Sequence, residues 1–263
     1  MARNPSPQAL RGLRKDMQEA IDRVWPDGVV DPPFELDESY FWEVHPKLSR
    51  ALSRIKNAHL VHEREADPEP IWGDESDPED APPDEIGQSR SYHTFFVSPE
   101  GEAFTFETEA DDITEPEFIT EEFEEAGWDQ DPPISSGPGS GRTGWVVAVS
   151  LLAPFAVIEL NDMVTFEDGS ATEIEIESYL GTADGGWISA EERFRKVGGA
   201  QAYKMLVTLR AKVAGILEKS GITVLPAEEW RKPAPWLQPG GDTLVGGNGK
   251  TIRVLDAFFF ASL

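Results

Sequence analysis

The sequence predicts an α+β fold with a mainly antiparallel sheet, and three observations predict it. Residues 145–160, WVVAVSLLAPFAVIEL, are the most apolar passage of the chain and suit two strands buried on both faces. Other strand-like runs come mostly in pairs across short turn sequences, which is how antiparallel neighbours are joined. The strongest helical periodicities lie towards the two ends, so helices from the N-terminal and C-terminal parts are expected to pack on the sheet. A length of 263 residues suits one such domain, spanning 1–263.

The central run carries Pro154, which has no amide proton to give a central ladder. A bend at Ala153 and Pro154 with a strand on either side follows. Pro154, Glu159 and a length below the roughly 20 residues of a membrane span argue against a bilayer.

From the amino end, Ser6 is a helix N-cap and Pro7 suits the first helical position. Leu10, Leu13, Met17, Ile21 and Val24 form one stripe, and Pro26 and Gly28 stop the helix. Arg11, Arg14 and Lys15 on its early turns oppose the helix dipole. Residues 38–44, ESYFWEV, alternate loosely and predict a strand. His45 precedes Pro46, which disfavours helix at His45 and allows one to start at Pro46. That helix would turn Leu48, Leu52 and Ile55 inward and Lys47, Arg50, Arg54 and Lys56 outward. Residues 59–63 read as strand or as its continuation.

Residues 91–98 and 102–108 predict a hairpin across Pro99, Glu100 and Gly101. Residues 115–126 can form a helix with Ile119, Phe123 and Ala126 inward. Residues 163–166 and 172–179 predict a second hairpin over Glu167, Asp168 and Gly169, with Ile174 and Ile176 alternating against Glu173, Glu175 and Glu177. A capping box at 189–192 opens a helix that bends at Gly198 and Gly199. It continues with Ala202, Leu206, Leu209, Val213, Ile216 and Leu217 on one stripe, and Gly221 ends it. Residues 222–225 read as a strand, and 230–239, rich in proline and aromatic residues, as a staple lying across the core. Residues 251–260 read as a last strand.

With 39% hydrophobic residues the chain is globular rather than disordered. It has no cysteine, so disulfide frameworks, cysteine metal clusters and cysteine nucleophiles are all excluded. The first 20 residues lack the apolar centre of a secretory leader, which predicts a soluble, cytoplasmic protein.

Charge is the feature that speaks to function. Of a formal −26, residues 1–62 contribute zero, residues 132–263 contribute −3, and residues 63–131 contribute −23. A uniform solubility adaptation would have spread the acids out. Within that block, residues 65–88 read as an acidic mobile loop carrying the apolar pair Ile71 and Trp72, and residues 131–143 read as a flexible connector separating the block from the central apolar run. A field of this strength attracts basic partners and repels nucleic acid and anionic membranes.

Catalytic signatures are weak by comparison. Residues 137–143, GPGSGRT, have glycines one residue too close for a phosphate loop and arginine where lysine belongs, and a linker is the better reading. His59 and His62 would share a face on a helix and point to opposite faces on a strand, and no third metal ligand is identifiable from spacing. Glu228, Glu229 and Lys232 lack the ordered carboxylates of a metal nuclease. No GxSxG elbow occurs. The sequence therefore predicts no catalytic set, no metal site and no cofactor.

The function expected is that of a non-enzymatic acidic binding protein, an inhibitor or immunity-type factor of bacterial kind. It would occlude a basic protein partner, such as a nuclease toxin or nucleic-acid-binding protein, with carboxylates standing in for phosphates. The partner-binding residues predicted are Asp74, Glu75, Asp77, Glu79, Asp80, Glu121, Glu122, Glu124 and Glu125, with Trp72 and Trp128 as apolar contacts. The alternatives are a divalent-metal-dependent hydrolase using His59 and His62, and an assembly component whose acids keep it in solution.

Overall fold

The computed structural model describes residues 13–30, 38–66, 91–108, 139–166, 171–172, 199–240 and 252–259. They form an α+β fold in which helices pack on a mostly antiparallel sheet. In chain order the elements are α1 (Lys15–Val24), β1 (Val29–Val30), α2 (Glu38–Leu52), β2 (Ala58–Arg64), β3 (Tyr92–Pro99), β4 (Thr105–Thr108), β5 (Gly139–Ser150) and β6 (Phe155–Phe166). They continue with β7 (Ala171–Thr172), α3 (Gly199–Lys219), β8 (Thr223–Val224), α4 (Ala227–Trp230) and β9 (Gln238–Pro239).

The sheet is built on the central apolar run, as its composition predicts. β5 and β6 pair antiparallel from Gly139 opposite Phe166 to Val149 opposite Ala156, and the chain reverses through residues 151–154. β3 lies on the other side of β5 and β2 on the outside of β3, both antiparallel. β7 and β8 share the far side of β6, and β8 is the parallel member.

Both faces of this sheet are covered, which is why its central strands carry apolar residues without interruption. On one face Tyr92, Phe96, Val146, Ala148, Phe155, Val157 and Met163 pack with Met17, Ala20 and Ile21 of α1 and with the C-terminal segment. On the other, Phe95, Val97, Trp145, Val147, Val149 and Ile158 pack with Val44, Leu48 and Leu52 of α2 and the apolar stripe of α3. Gly221, at φ 79°, closes α3: its N–H donates to Glu218 O at 3.0 Å and the Ile222 N–H to Leu217 O at 2.9 Å. These are the paired bonds of a left-handed glycine cap.

Several expectations are corrected. Residues 38–44 are not a strand but the first half of α2, which runs through Pro46. Buried Val44, Leu48 and Leu52 repeat every four residues across the proline, and His45 is held by contacts of its own, so packing outweighs the local bias of the residue before proline. Residues 91–98 and 102–108 do not form a hairpin. β3 and β4 follow one another along the same edge of β5, Val97 opposite Trp145 and Thr105 opposite Arg142, with a 3-10 turn over Glu102–Phe104 between them. The connector assigned to 131–143 and the linker reading of 137–143 both fail at Gly139, where β5 begins, because β4 and β6 flank and pair with that stretch.

The expected last strand is instead an isolated bridge, Pro233 to Arg253, followed by a 3-10 turn at Leu255–Ala257. The Asp256 carboxylate accepts from the Arg253 backbone N–H at 2.7 Å and from its guanidinium at 2.7 and 3.0 Å, a local bond that competes with a ladder. The stretch 230–239 does lie across the core: Trp230, Ala234 and Leu237 are buried, and β9 pairs in parallel with β1. The helix start at Ser6, the helix at 115–126, the capping box at 189–192 and the glutamate row at 173–177 lie outside the described residues.

Candidate functional site

All the predicted partner-binding residues, Trp72, Asp74, Glu75, Asp77, Glu79, Asp80, Glu121, Glu122, Glu124, Glu125 and Trp128, lie outside the described residues. What is described is the frame that carries them. Residues 67–90 hold nine acids and Arg90, and residues 109–138 hold eleven acids and no base. The first stretch leaves after Ala66 and returns at Ser91, whose neighbour Tyr92 is paired with Ser150. The second leaves at Thr108 and returns at Gly139, and these two residues are paired with each other. The two stretches are thus rooted at opposite ends of β5.

The body between these roots carries its own bases outward. Lys47, Arg50, Arg54 and Lys56 are exposed, as the sequence pattern predicts. Among the described residues, near neighbours in the chain pair Arg14 with Asp16, Lys15 with Glu19, Lys47 with Glu43, Lys232 with Glu229 and Arg253 with Asp256. The first two pairs give the early cations of α1 a local counter-charge.

His59 and His62 fall on β2, and a correction attaches to their geometry. Regular alternation would send them to opposite faces, but a bulge between Leu60 and His62 absorbs one residue. They stand opposite Ser98 and Phe96, two positions apart on β3 and hence on one face. Even so, among the described residues no group of three or more His, Asp or Glu is placed to hold a metal ion.

A different pair of histidines is brought together. His45 of α2 and His93 of β3 are 8% and 1% exposed, with ring centroids 4.9 Å apart. His45 stacks on Phe95 at 5.1 Å and 20°. Its Nδ1 lies 3.0 Å from Glu65 Oε1 and its Nε2 4.0 Å from Glu63 Oε2. His93 Nδ1 accepts from the backbone N–H of Ala66 at 2.9 Å. In the sequence these histidines are 48 positions apart, so no spacing rule finds them. The only local signal is a histidine inside a mostly apolar strand, YHTFFV.

On β6, burial pushes the Glu159 carboxyl up from its ordinary value, and Arg231 and then Arg210 pull it back in part. Arg231 lies over the Trp230 ring at 4.6 Å, and Lys232 reaches Glu229 at 3.1 Å. The charges of 228–232 are therefore spent in part on fixing α4 against the sheet. Thr143 and Asp162 face one another across β5 and β6, Thr143 Oγ1 donating to Asp162 Oδ1 at 2.5 Å, while Ser98 Oγ donates to Thr143 O at 2.8 Å. This polar seam ties three strands together.

No helix among the described residues is long and apolar enough to cross a membrane. Comparison of the chain with protein-family models, with curated proteins and with solved structures finds no match in any of the three.

Proposed function

We propose that the chain is a non-enzymatic acidic binding protein of inhibitor or immunity type, acting in the bacterial cytoplasm. It occludes a basic partner, a nuclease toxin or another nucleic-acid-binding protein, with carboxylates in the places that phosphates would take. One observation carries the reading: twenty acids and a single base are concentrated in residues 67–90 and 109–138, while the rest of the chain sets 29 acids against 22 bases. Such a field raises the encounter rate with cationic surfaces and discriminates against anionic ones. Trp72 and Trp128 within these stretches supply the apolar anchoring that charge alone lacks.

The test is affinity capture on the immobilised full chain, eluted by stepwise salt. The captured protein is expected to be basic and to leave the column as the screening length shrinks from about 10 Å at 0.1 M to about 3 Å at 1 M salt. A variant in which Asp74, Glu75, Asp77, Glu79 and Asp80 become Asn or Gln is expected to lose it while keeping the melting temperature of the parent. Capture of an acidic protein, or binding indifferent to salt, overturns the proposal.

A further inference from the structure

The buried histidine pair is a polar cluster that the proposed function leaves unused. We propose that His45 and His93 form a proton-sensitive clasp that holds α2 and Ala66 against the sheet at neutral pH and loosens in mild acid. The inference is independent of what the acidic stretches bind.

The proton positions follow from the contacts. His93 Nδ1 accepts the Ala66 N–H, so the neutral ring carries its proton on Nε2. A second proton can go only to Nδ1, where it replaces the acceptor with a donor facing another N–H. Ala66 is buried, so its amide then loses its partner where water does not replace it. His45 is arranged differently. Its Nδ1 faces Glu65, and its buried Nε2 has no hydrogen-bond partner among the described residues and lies 4.0 Å from Glu63. A proton on that nitrogen faces Glu63 and makes the ring a cation between Glu63 and Glu65, 4.9 Å from the His93 ring. Like charges at that separation in a buried layer repel.

Among the described residues, the titratable groups around the pair are Glu63 of β2, Glu65 just beyond its end, His93 itself from β3 and His45 itself from α2. α3 packs on this face through apolar Leu209, Val213 and Leu217, and Phe95 supplies the stacking surface. The sign is therefore set by His93: its bond to Ala66 exists only while Nδ1 is unprotonated. The clasp is complete while the His93 ring is neutral and is lost when acid adds the second proton, so falling pH can only weaken it. Ala66 is the last described residue before the acidic stretch 67–90, so the clasp fixes the point from which that stretch departs.

The test is amide hydrogen exchange on the full chain, followed by NMR from about pH 7.5 to about pH 5.5 and corrected for intrinsic rates. Protection of the Ala66 amide and of the second half of α2 is expected to fall roughly ten-fold or more, while the core of α3 changes less than about two-fold. His93→Asn keeps an acceptor near the Nδ1 position and cannot be protonated, so its Ala66 protection is expected to stay flat. Unchanged Ala66 protection in the parent, or an equal loss in His93→Asn, overturns the clasp. Should that variant not fold, the ring nitrogen shifts of His93 in the parent decide. A proton on Nε2 alone above pH 7, with Nδ1 protonation tracking the Ala66 amide, supports it, and a proton on Nδ1 at neutral pH overturns it.

Discussion

Gly144 stands in β5 between the residues paired with β3 and those paired with β4, and it allows a close backbone approach that a side chain would block. A Cβ built there meets the Val97 carbonyl oxygen at 2.6 Å and the Phe96 ring at 2.9 and 3.0 Å. Ordinary carbon–oxygen contacts lie near 3.3 Å, so the carbonyl must retreat by about 0.7 Å. Val97 belongs to β3 and Phe96 is buried, so neither group can swing away freely. Gly144→Ala should therefore fall in the upper part of the overpacking range, about 2–3 kcal/mol. For a chain of this size that is a drop in Tm of roughly 5–10 °C. Gly215→Ala is the matched control: it lies within α3, and its Cβ would meet nothing within 4 Å. Removing a helical glycine there should raise stability by up to about 1 kcal/mol. Thermal and urea denaturation followed by circular dichroism read both. A Gly144→Ala protein within about 0.5 kcal/mol of the parent, or two shifts of the same sign, would refute the reasoning.

Two further substitutions test separate features. Burial raises the Glu159 carboxyl above its ordinary value, so folding favours its protonated form, and its contribution to stability declines as pH rises through the carboxylate range. Glu159→Gln should then be more stable than the parent at neutral pH, with the difference closing as pH falls below about 4; a difference that does not vary with pH would assign the effect to packing instead. Pro46 sits inside α2 and is exposed, so Pro46→Ala should stabilise the helix by up to roughly 3 kcal/mol. Lower stability in denaturant titrations would show that the proline sets a helix direction the packing of Val44 and Leu48 requires.

What could be read in advance was what composition alone determines. Residues 145–160 are apolar at consecutive positions because both faces of β5 and β6 are covered, and no tertiary knowledge is needed to see that. The elements that were misread are those where a local rule competed with a distant contact. α2 crosses Pro46 because Val44, Leu48 and Leu52 share a stripe and His45 packs on Phe95 of β3, a residue 50 positions later. Pro99, Glu100 and Gly101 look like a reversal. The strand pairing shows that β3 and β4 keep one direction, with Gly101 at φ 123° before a single 3-10 turn. Gly139, Gly141 and Gly144 resemble linker glycines, yet they are paired strand residues, and at Gly144 the missing side chain is what lets β3 approach. The histidine clasp was illegible because its two rings come from a helix and a strand far apart in the chain. The acidic residues predicted to bind a partner were legible through charge, which needs no fold to be seen, and they lie outside the described residues.

The paired span of β5 separates the two acidic departures by about eleven residue steps, or roughly 35 Å at the usual strand rise. At physiological ionic strength the Debye length is about 8 Å, so the charges near one departure point scarcely feel those near the other. The long hairpin thus spaces the two anionic departures by several screening lengths.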